Sequence, residues 1–281
     1  MSKIFFIADF FANEVPGGGE LNNHELVDIL RKRGCDVSEV KSQDASPQFL
    51  NEQANDSKFI VANFIGLPPA SKHILQSEKQ YIIYEHDHKY VKTRNPASYE
   101  NFIAPKNQII NFDFYRNAKA VLCQSKFHAD IVKSNLHLEN IHSVGGNLWS
   151  AKMLDFMYQI SKEKKEKTYA IMQSDNWHKN TADAVRICRA KEWDYDLIPP
   201  LPYEEFLTRL GKSSKFIFFP KTPETLSRIV VEARMMGLAV VTNNMVGATK
   251  EDWFSLKGID LISVMTDKRK EIPDLVQKVL E

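Results

Sequence analysis

The sequence predicts an α/β protein made of two halves, each built on a parallel sheet, and three observations carry that expectation. Short apolar runs recur along the whole chain, at residues 4–10, 59–63, 81–84, 120–123, 169–172, 216–219 and 239–242, and most precede a polar, helix-like stretch. Within the runs hydrophobicity is continuous rather than alternating, the mark of strands covered on both faces by helices. The alternation restarts at Tyr169, after Lys162-Glu163-Lys164-Lys165-Glu166-Lys167, a charge run of the kind that forms solvated linkers or helix faces. The expected domains are residues 1–165 and 166–281, each of ordinary size.

Composition fits this plan and narrows the function. A chain of 281 residues, 43% hydrophobic and 26% charged, has apolar material for one large or two small cores. Its 37 basic and 36 acidic residues leave a net charge of +1, so no global field draws it to nucleic acid or anionic lipid. Cys35, Cys123 and Cys188 are far apart and show no metal-binding spacing; they read as buried thiols in a reducing, cytoplasmic compartment.

Taken in order, residues 4–10 are a first buried strand, because Asp9 interrupts them before they reach the length of a signal peptide or membrane span. The loop Val15-Pro16-Gly17-Gly18-Gly19-Glu20 then opens a helix that runs to Arg33 and stops at Gly34. Its glycines either let backbone amides approach a phosphate or sugar or form a surface turn. The spacing is neither GxGxxG nor that of a P-loop. Next, Tyr84-Glu85-His86-Asp87-His88 crowds the end of a strand, where it is a metal site, a polar site without metal, or a structural hydrogen-bond cluster. No other residues complete a metal ligand set, and no metal or cofactor is expected. Lys89, Lys92, Arg94, Lys106, Arg116 and Lys119 lie among Tyr90, Tyr99 and Tyr115, and read as a solvated face rather than a nucleic-acid surface.

The last segment is the most informative. Residues 218–243 read as strand, loop, helix, glycine cap and strand, with Thr222 or Glu224 as helix cap and Gly237 just past the helix end. The free amides of Thr225 and Leu226 at that helix start would suit an anion. Glu224 has an ordinary reading as a first-turn acid. Glu232 interrupts Ile229-Val230-Val231 and Ala233, so it is either a buried functional carboxylate or a surface partner of Arg228.

Glu224 and Glu232, separated by seven residues inside Pro-Glu-Thr-Leu-Ser-Arg-Ile-Val-Val-Glu-Ala-Arg-Met-Met-Gly, resemble the signature of retaining GT-B glycosyltransferases of family GT4 (glycosyl transferases group 1). Gly17-Gly18-Gly19-Glu20 resembles that family's N-domain glycine loop, His86-Asp87 its strand-end histidine, and Cys123-Gln124-Ser125-Lys126-Phe127 a serine-containing turn before a helix. The loop 174–180 resembles the one whose lysine binds the donor diphosphate, here Lys179. The resemblance is sharp over residues 215–243.

It implies a GT-B fold, two Rossmann-like domains facing across a cleft, and a metal-independent transferase moving a sugar from a nucleotide-diphosphate sugar to an acceptor with retention. Catalytic candidates are then His86, Asp87 and Glu224. Donor-binding candidates are Gly18, Gly19, Lys179, Thr225, Leu226 and Glu232, with Glu232 on the ribose. Relatives place an arginine beside the loop lysine, whereas this loop reads Ser174-Asp175-Asn176-Trp177-His178; donor phosphate charge is then met less fully, or by Lys221 or Arg228. Two other functions fit the same fold: a sugar-nucleotide epimerase, and a module that binds nucleotide or glycan without turnover. The sequence names neither sugar, base nor acceptor.

Overall fold

The computed structural model describes residues 3–15 and 17–281, so Pro16 of the glycine loop lies outside the described residues. The chain divides into two compact units, Met1–Trp149 with Lys268–Glu281, and Ser150–Asp267.

The first unit alternates β1 (Ile4–Ala8), α1 (Gly18–Lys32), β2 (Val37–Lys41), α2 (Pro47–Glu52), β3 (Lys58–Val61), α3 (Pro69–Glu78), β4 (Gln80–Glu85), α4 (Phe112–Arg116), β5 (Val121–Cys123), α5 (Lys126–Leu136) and β6 (Ile141–Ser143). The six strands order as β2-β1-β3-β4-β5-β6 and all neighbours are parallel. One row of β-branched residues, Val40, Ile7, Val61, Ile83, Val121 and Ile141, crosses the whole sheet. Odd and even strand positions bury into two separate cores. Phe5, Ile7, Phe59 and Val61 pack with Leu50, Leu75 and Val132 from α2, α3 and α5. Ile4, Phe6, Ile60 and Ile82 pack with Leu26 and Leu30 of α1. Burial on both faces is why these strands read as unbroken apolar runs.

The second unit contains α6 (Ala151–Lys162), β7 (Glu166–Met172), α7 (Thr181–Ala190), β8 (Tyr195–Ile198), α8 (Tyr203–Lys212), β9 (Ser213–Phe218), α9 (Arg228–Met235), β10 (Ala239–Thr242) and the start of α10 (Ile259–Leu280). Its parallel sheet has the order β10-β9-β7-β8. The end of α10 belongs to the first unit, where Ile272, Val276 and Leu280 join the α1 core and Arg269 bonds Glu25 and the Trp149 carbonyl.

Two expectations differ from these units. Their division falls at Trp149/Ser150, not at residues 165/166. The charged run is the turn from α6 into β7, and Lys165 Nζ fastens it by donating to the carbonyls of Ile160 at 2.6 Å and Gly211 at 2.7 Å. Close packing of α8 on α6 keeps α6 in the second unit: a Cβ on Gly211 would lie 2.2 Å from Ile160 Cγ2. The sequence also showed no apolar run for β2, β6 or β8, and all three are sheet edges.

Candidate functional site

The second unit has a topological reversal. From β7 the chain passes through α7 to β8 on one side, then returns through α8 to β9 on the other. Open parallel sheets bind ligands outside the strand carboxyl ends at such a reversal. Lys179 stands in the loop after β7 and Glu224 in the loop after β9, and Lys179 Nζ donates to Glu224 Oε1 at 2.8 Å. Backbone and amide bonds hold the two loops together. Lys221 N donates to the His178 carbonyl at 2.9 Å, and Asn180, left-handed at φ 56°, donates from Nδ2 to the Phe219 carbonyl at 2.8 Å.

The helix after Glu224 starts later than the sequence suggests. Glu224 N donates to Met245 O at 2.8 Å and its carbonyl accepts from Gly247 N at 2.9 Å, a parallel bridge to Val246 that keeps the segment extended. Neither Thr222 nor Glu224 caps α9; the cap position is Ser227, left-handed at φ 71° and without a side-chain cap bond. Thr225 and Leu226 therefore precede the helix instead of forming its first turn. Ser227 Oγ is buried with no hydrogen-bond partner among the described residues. The sequence reading did not single it out, although a hydroxyl just ahead of an apolar helix was the available signal.

Glu232 is 3% exposed. Arg228 Nε lies 3.1 Å from its Oε1, with the Arg228 side chain 10% exposed, so this is a buried pair and not the surface pair considered above. Tyr203 at the start of α8 donates its hydroxyl to the same carboxylate. Nothing in the sequence marked Tyr203, since only the packing of α8 beside α9 brings it there.

In the first unit the reversal lies between β1 and β3, on whose outer side β2 sits. Gly17 is the cap residue of α1, and Gly18 and Gly19 form its first turn. A Cβ on Gly19 would meet the His86 ring at 3.5 Å, an ordinary van der Waals distance, so α1 lies close beside that histidine. Glu20 accepts from Asn63 Nδ2 at 3.2 Å, and burial raises its pKa. Asp9 accepts from the amides of Ile65 at 3.0 Å and Gly66 at 2.8 Å.

His86 has both ring nitrogens engaged, Nε2 with Asn23 Oδ1 and Nδ1 with Gln124 Nε2 at 2.6 Å. An amide nitrogen only donates, so Nδ1 accepts and the proton sits on Nε2. Burial, helped by the Lys89 charge, lowers its pKa to about 3. Glu85 at the end of β4 is fully buried; it accepts from Lys89 Nζ at 2.7 Å, Asp87 N at 3.0 Å and the Tyr115 hydroxyl. Asp87 Oδ1 lies 2.9 Å from Lys89 Nζ and Oδ2 3.6 Å from Arg94 Nε. Burial opposes its charge, but these cations prevail and lower its pKa to about 2. His88 bonds Tyr90 at 3.1 Å, and burial lowers its pKa to about 4.

The strand-end motif is thus a buried hydrogen-bond and ion-pair cluster. Among the described residues no group of three or more His, Cys, Asp or Glu is placed to hold a metal. Lys89, Tyr90 and Tyr115 are buried, which corrects the expectation that they belong to a solvated face: Glu85 and Asp87 draw the lysine inward.

No family model matches the sequence, and no curated protein does. Solved structures match the fold over the whole chain. A UDP-forming α,α-trehalose-phosphate synthase from Burkholderia vietnamiensis is 9% identical, with 100% of this chain and 93% of that one covered at TM-score 0.60. HepE of Anabaena, in complex with UDP and glucose, is 12% identical over 100% of this chain and 92% of that one at 0.56. A glycosyltransferase from Rickettsia africae is 12% identical over 99% and 93% at 0.51. The chain has the α/β fold of these GT-B glycosyltransferases, two parallel sheets with alternating helices.

Proposed function

We propose that this chain is a retaining, metal-independent glycosyltransferase of the GT4 kind, taking its sugar from a nucleotide-diphosphate sugar. The observation that carries the reading is the Lys179–Glu224 pair at 2.8 Å, at the reversal between β7 and β9. Two residues far apart in sequence, each singled out by its own motif, meet where a parallel sheet takes its ligand.

In this reading Lys179, the amides of Thr225 and Leu226 and the Ser227 hydroxyl bind the donor diphosphate. They stabilise the charge that develops on it as the bond to the sugar breaks. Glu224 holds the transferred sugar and Glu232 the ribose. His86, neutral and held on both nitrogens, is a positioning residue with no spare nitrogen for acid or base work. It fixes the end of β4 against α1, through Asn23 and beside Gly19. HepE has been solved with UDP-glucose, which makes that nucleotide sugar the first donor to try.

Calorimetric titration with UDP and UDP-glucose tests the reading. Saturable binding that weakens about tenfold or more in Lys179→Met, through loss of charge-assisted bonds to phosphate, is the expected result. Equal binding by variant and parent overturns the assignment of Lys179. Turnover that needs an acceptor separates transfer from epimerisation. Activity that survives a chelator is expected, and full loss restored by one divalent ion refutes metal independence.

A further inference from the structure

A pocket of about 220 Å³ opens in the first unit at the carboxyl ends of β3 and β4, lined by four cations, Lys72, Lys89, Lys92 and Arg94, together with Phe64, Asn111 and two isoleucines. No carboxylate lines it. Behind the wall, Glu85 and Asp87 pair with Lys89 at 2.7 and 2.9 Å, and Asp87 lies 3.6 Å from Arg94. Lys89 and Arg94 thus have carboxylate partners, whereas Lys72 and Lys92 form no ion pair among the described residues, and Asp9 acts on Lys72 only at longer range.

The unpaired cations are Lys72 and Lys92. Lys72 Nζ reaches the neutral Asn111 Oδ1 at 3.2 Å and lies 5.2 Å from the centre of the Phe64 ring. Lys92 is exposed and has no ion pair among the described residues. Burial lowers the pKa of Lys72, with Asp9 alone acting against it, so an anion in the pocket would restore what burial takes from the ammonium. Cations without ion-pair partners suit a phosphate monoester, which carries roughly −1.5 to −2 near neutral pH. The volume suits one phosphoryl group and its nearest carbons, since whole drug-sized ligands need roughly 300 Å³ or more.

We propose that this pocket binds a phosphate monoester carried by the acceptor, so that acceptors are phosphorylated sugars or alcohols, water-soluble or lipid-borne. The acceptor role rests on the transferase reading above; the anion site rests on the pocket alone.

The test uses the full-length protein and the double variant Lys72→Gln/Lys92→Gln, titrated with inorganic phosphate, glucose 6-phosphate, glucose, and phosphatidylcholine vesicles with or without phosphatidic acid. Expected are saturable binding of phosphate and of at least one phosphorylated probe, little binding of glucose, and about a tenfold or greater loss in the double variant with UDP affinity unchanged. The sugar phosphate and the vesicle arms tell a soluble acceptor from a lipid one. Glucose binding as well as its phosphate, no binding of any phosphorylated probe, or equal binding by the double variant overturns the site. Phosphate bound through Lys72 and Lys92 without UDP or UDP-glucose binding supports the pocket and defeats the transferase reading. UDP bound without phosphate does the reverse.

Discussion

A carboxylate inside an apolar helix is costly unless donors surround it, and Glu232 has two, the Arg228 guanidinium and the Tyr203 hydroxyl. Sequence showed the first partner, four residues away, and missed the second, which lies 29 residues away. Glu224 was legible because it sits in a loop that follows an apolar strand, and Lys179 through the resemblance of the loop 174–180 to a diphosphate-binding one. Burial of the Arg228 pair alters what Glu232→Gln should do. Donor affinity is expected to fall about ten- to a hundredfold if a ribose hydroxyl bonds the carboxylate. Stability should fall too, since Arg228 keeps an acceptor but loses its countercharge in a buried place. Tyr203→Phe separates these effects: it leaves the ion pair and the ring and removes the hydroxyl's hydrogen bonds to Glu232 and Arg228, at a cost of about 1 kcal/mol each. Titration with UDP-glucose and urea unfolding of both variants check this. Unchanged donor affinity in Glu232→Gln removes that residue from the site.

Strand legibility follows burial except at β10, an edge strand with no buried residue that still reads as an apolar run. Central strands bury both faces and read as unbroken apolar runs, whereas β2, β6 and β8 are sheet edges. In β2 only Val37 is buried, and in β8 only Ile198, so neither shows the run. Helix starts were less legible where a distant backbone intervened, as when Met245 and Gly247 hold Glu224 extended and delay α9 to Arg228. Helix packing was hidden for a similar reason. Gly211 looks like a weak helix position that alanine would improve by about 1 kcal/mol. In the structure its missing Cβ admits Ile160, whose Cγ2 would be 2.2 Å from that atom. Overpacking of this kind costs roughly 1–3 kcal/mol and outweighs the propensity gain. Gly211→Ala is therefore expected to destabilise the second unit, and Ile160→Ala to be less harmful in its presence than alone. A double-mutant cycle on urea unfolding measures the coupling; additive effects would show that α6 and α8 pack differently.

At the scale of the whole chain, the alternation of runs revealed two sheets but not where one unit ends, because α6 is amphipathic and its partners lie later in the sequence. The units also differ in how they should respond to acid. His88 and His128 are buried in the first unit and His86 is half-buried, and desolvation keeps all three neutral: the pKa is lowered to about 3 for His86, to about 4 for His88 and well below the usual range for His128. A group whose folded pKa is depressed contributes stability above its unfolded pKa, near 6.5 for histidine, and that contribution is lost as pH falls towards the folded value. The unfolded chain then takes up three protons that the fold refuses. Glu85 and Glu20 act in the opposite sense, because burial raises their pKa values and lets the folded unit take up as many as two. Once the unfolded histidines are charged, below about pH 6, the three outnumber the two glutamates, so the balance favours the unfolded chain and stability falls as pH drops further. Asp87, lowered to about 2, loses its own contribution only at lower pH still. In the second unit the one histidine, His178, lies in the loop after β7 rather than in a core. Calorimetric melting of the full chain should show a transition of the first unit that moves steadily down as pH falls from 6 to 5, while that of the second unit moves much less. If both transitions stay fixed over that range, the three histidines are not held neutral by the fold.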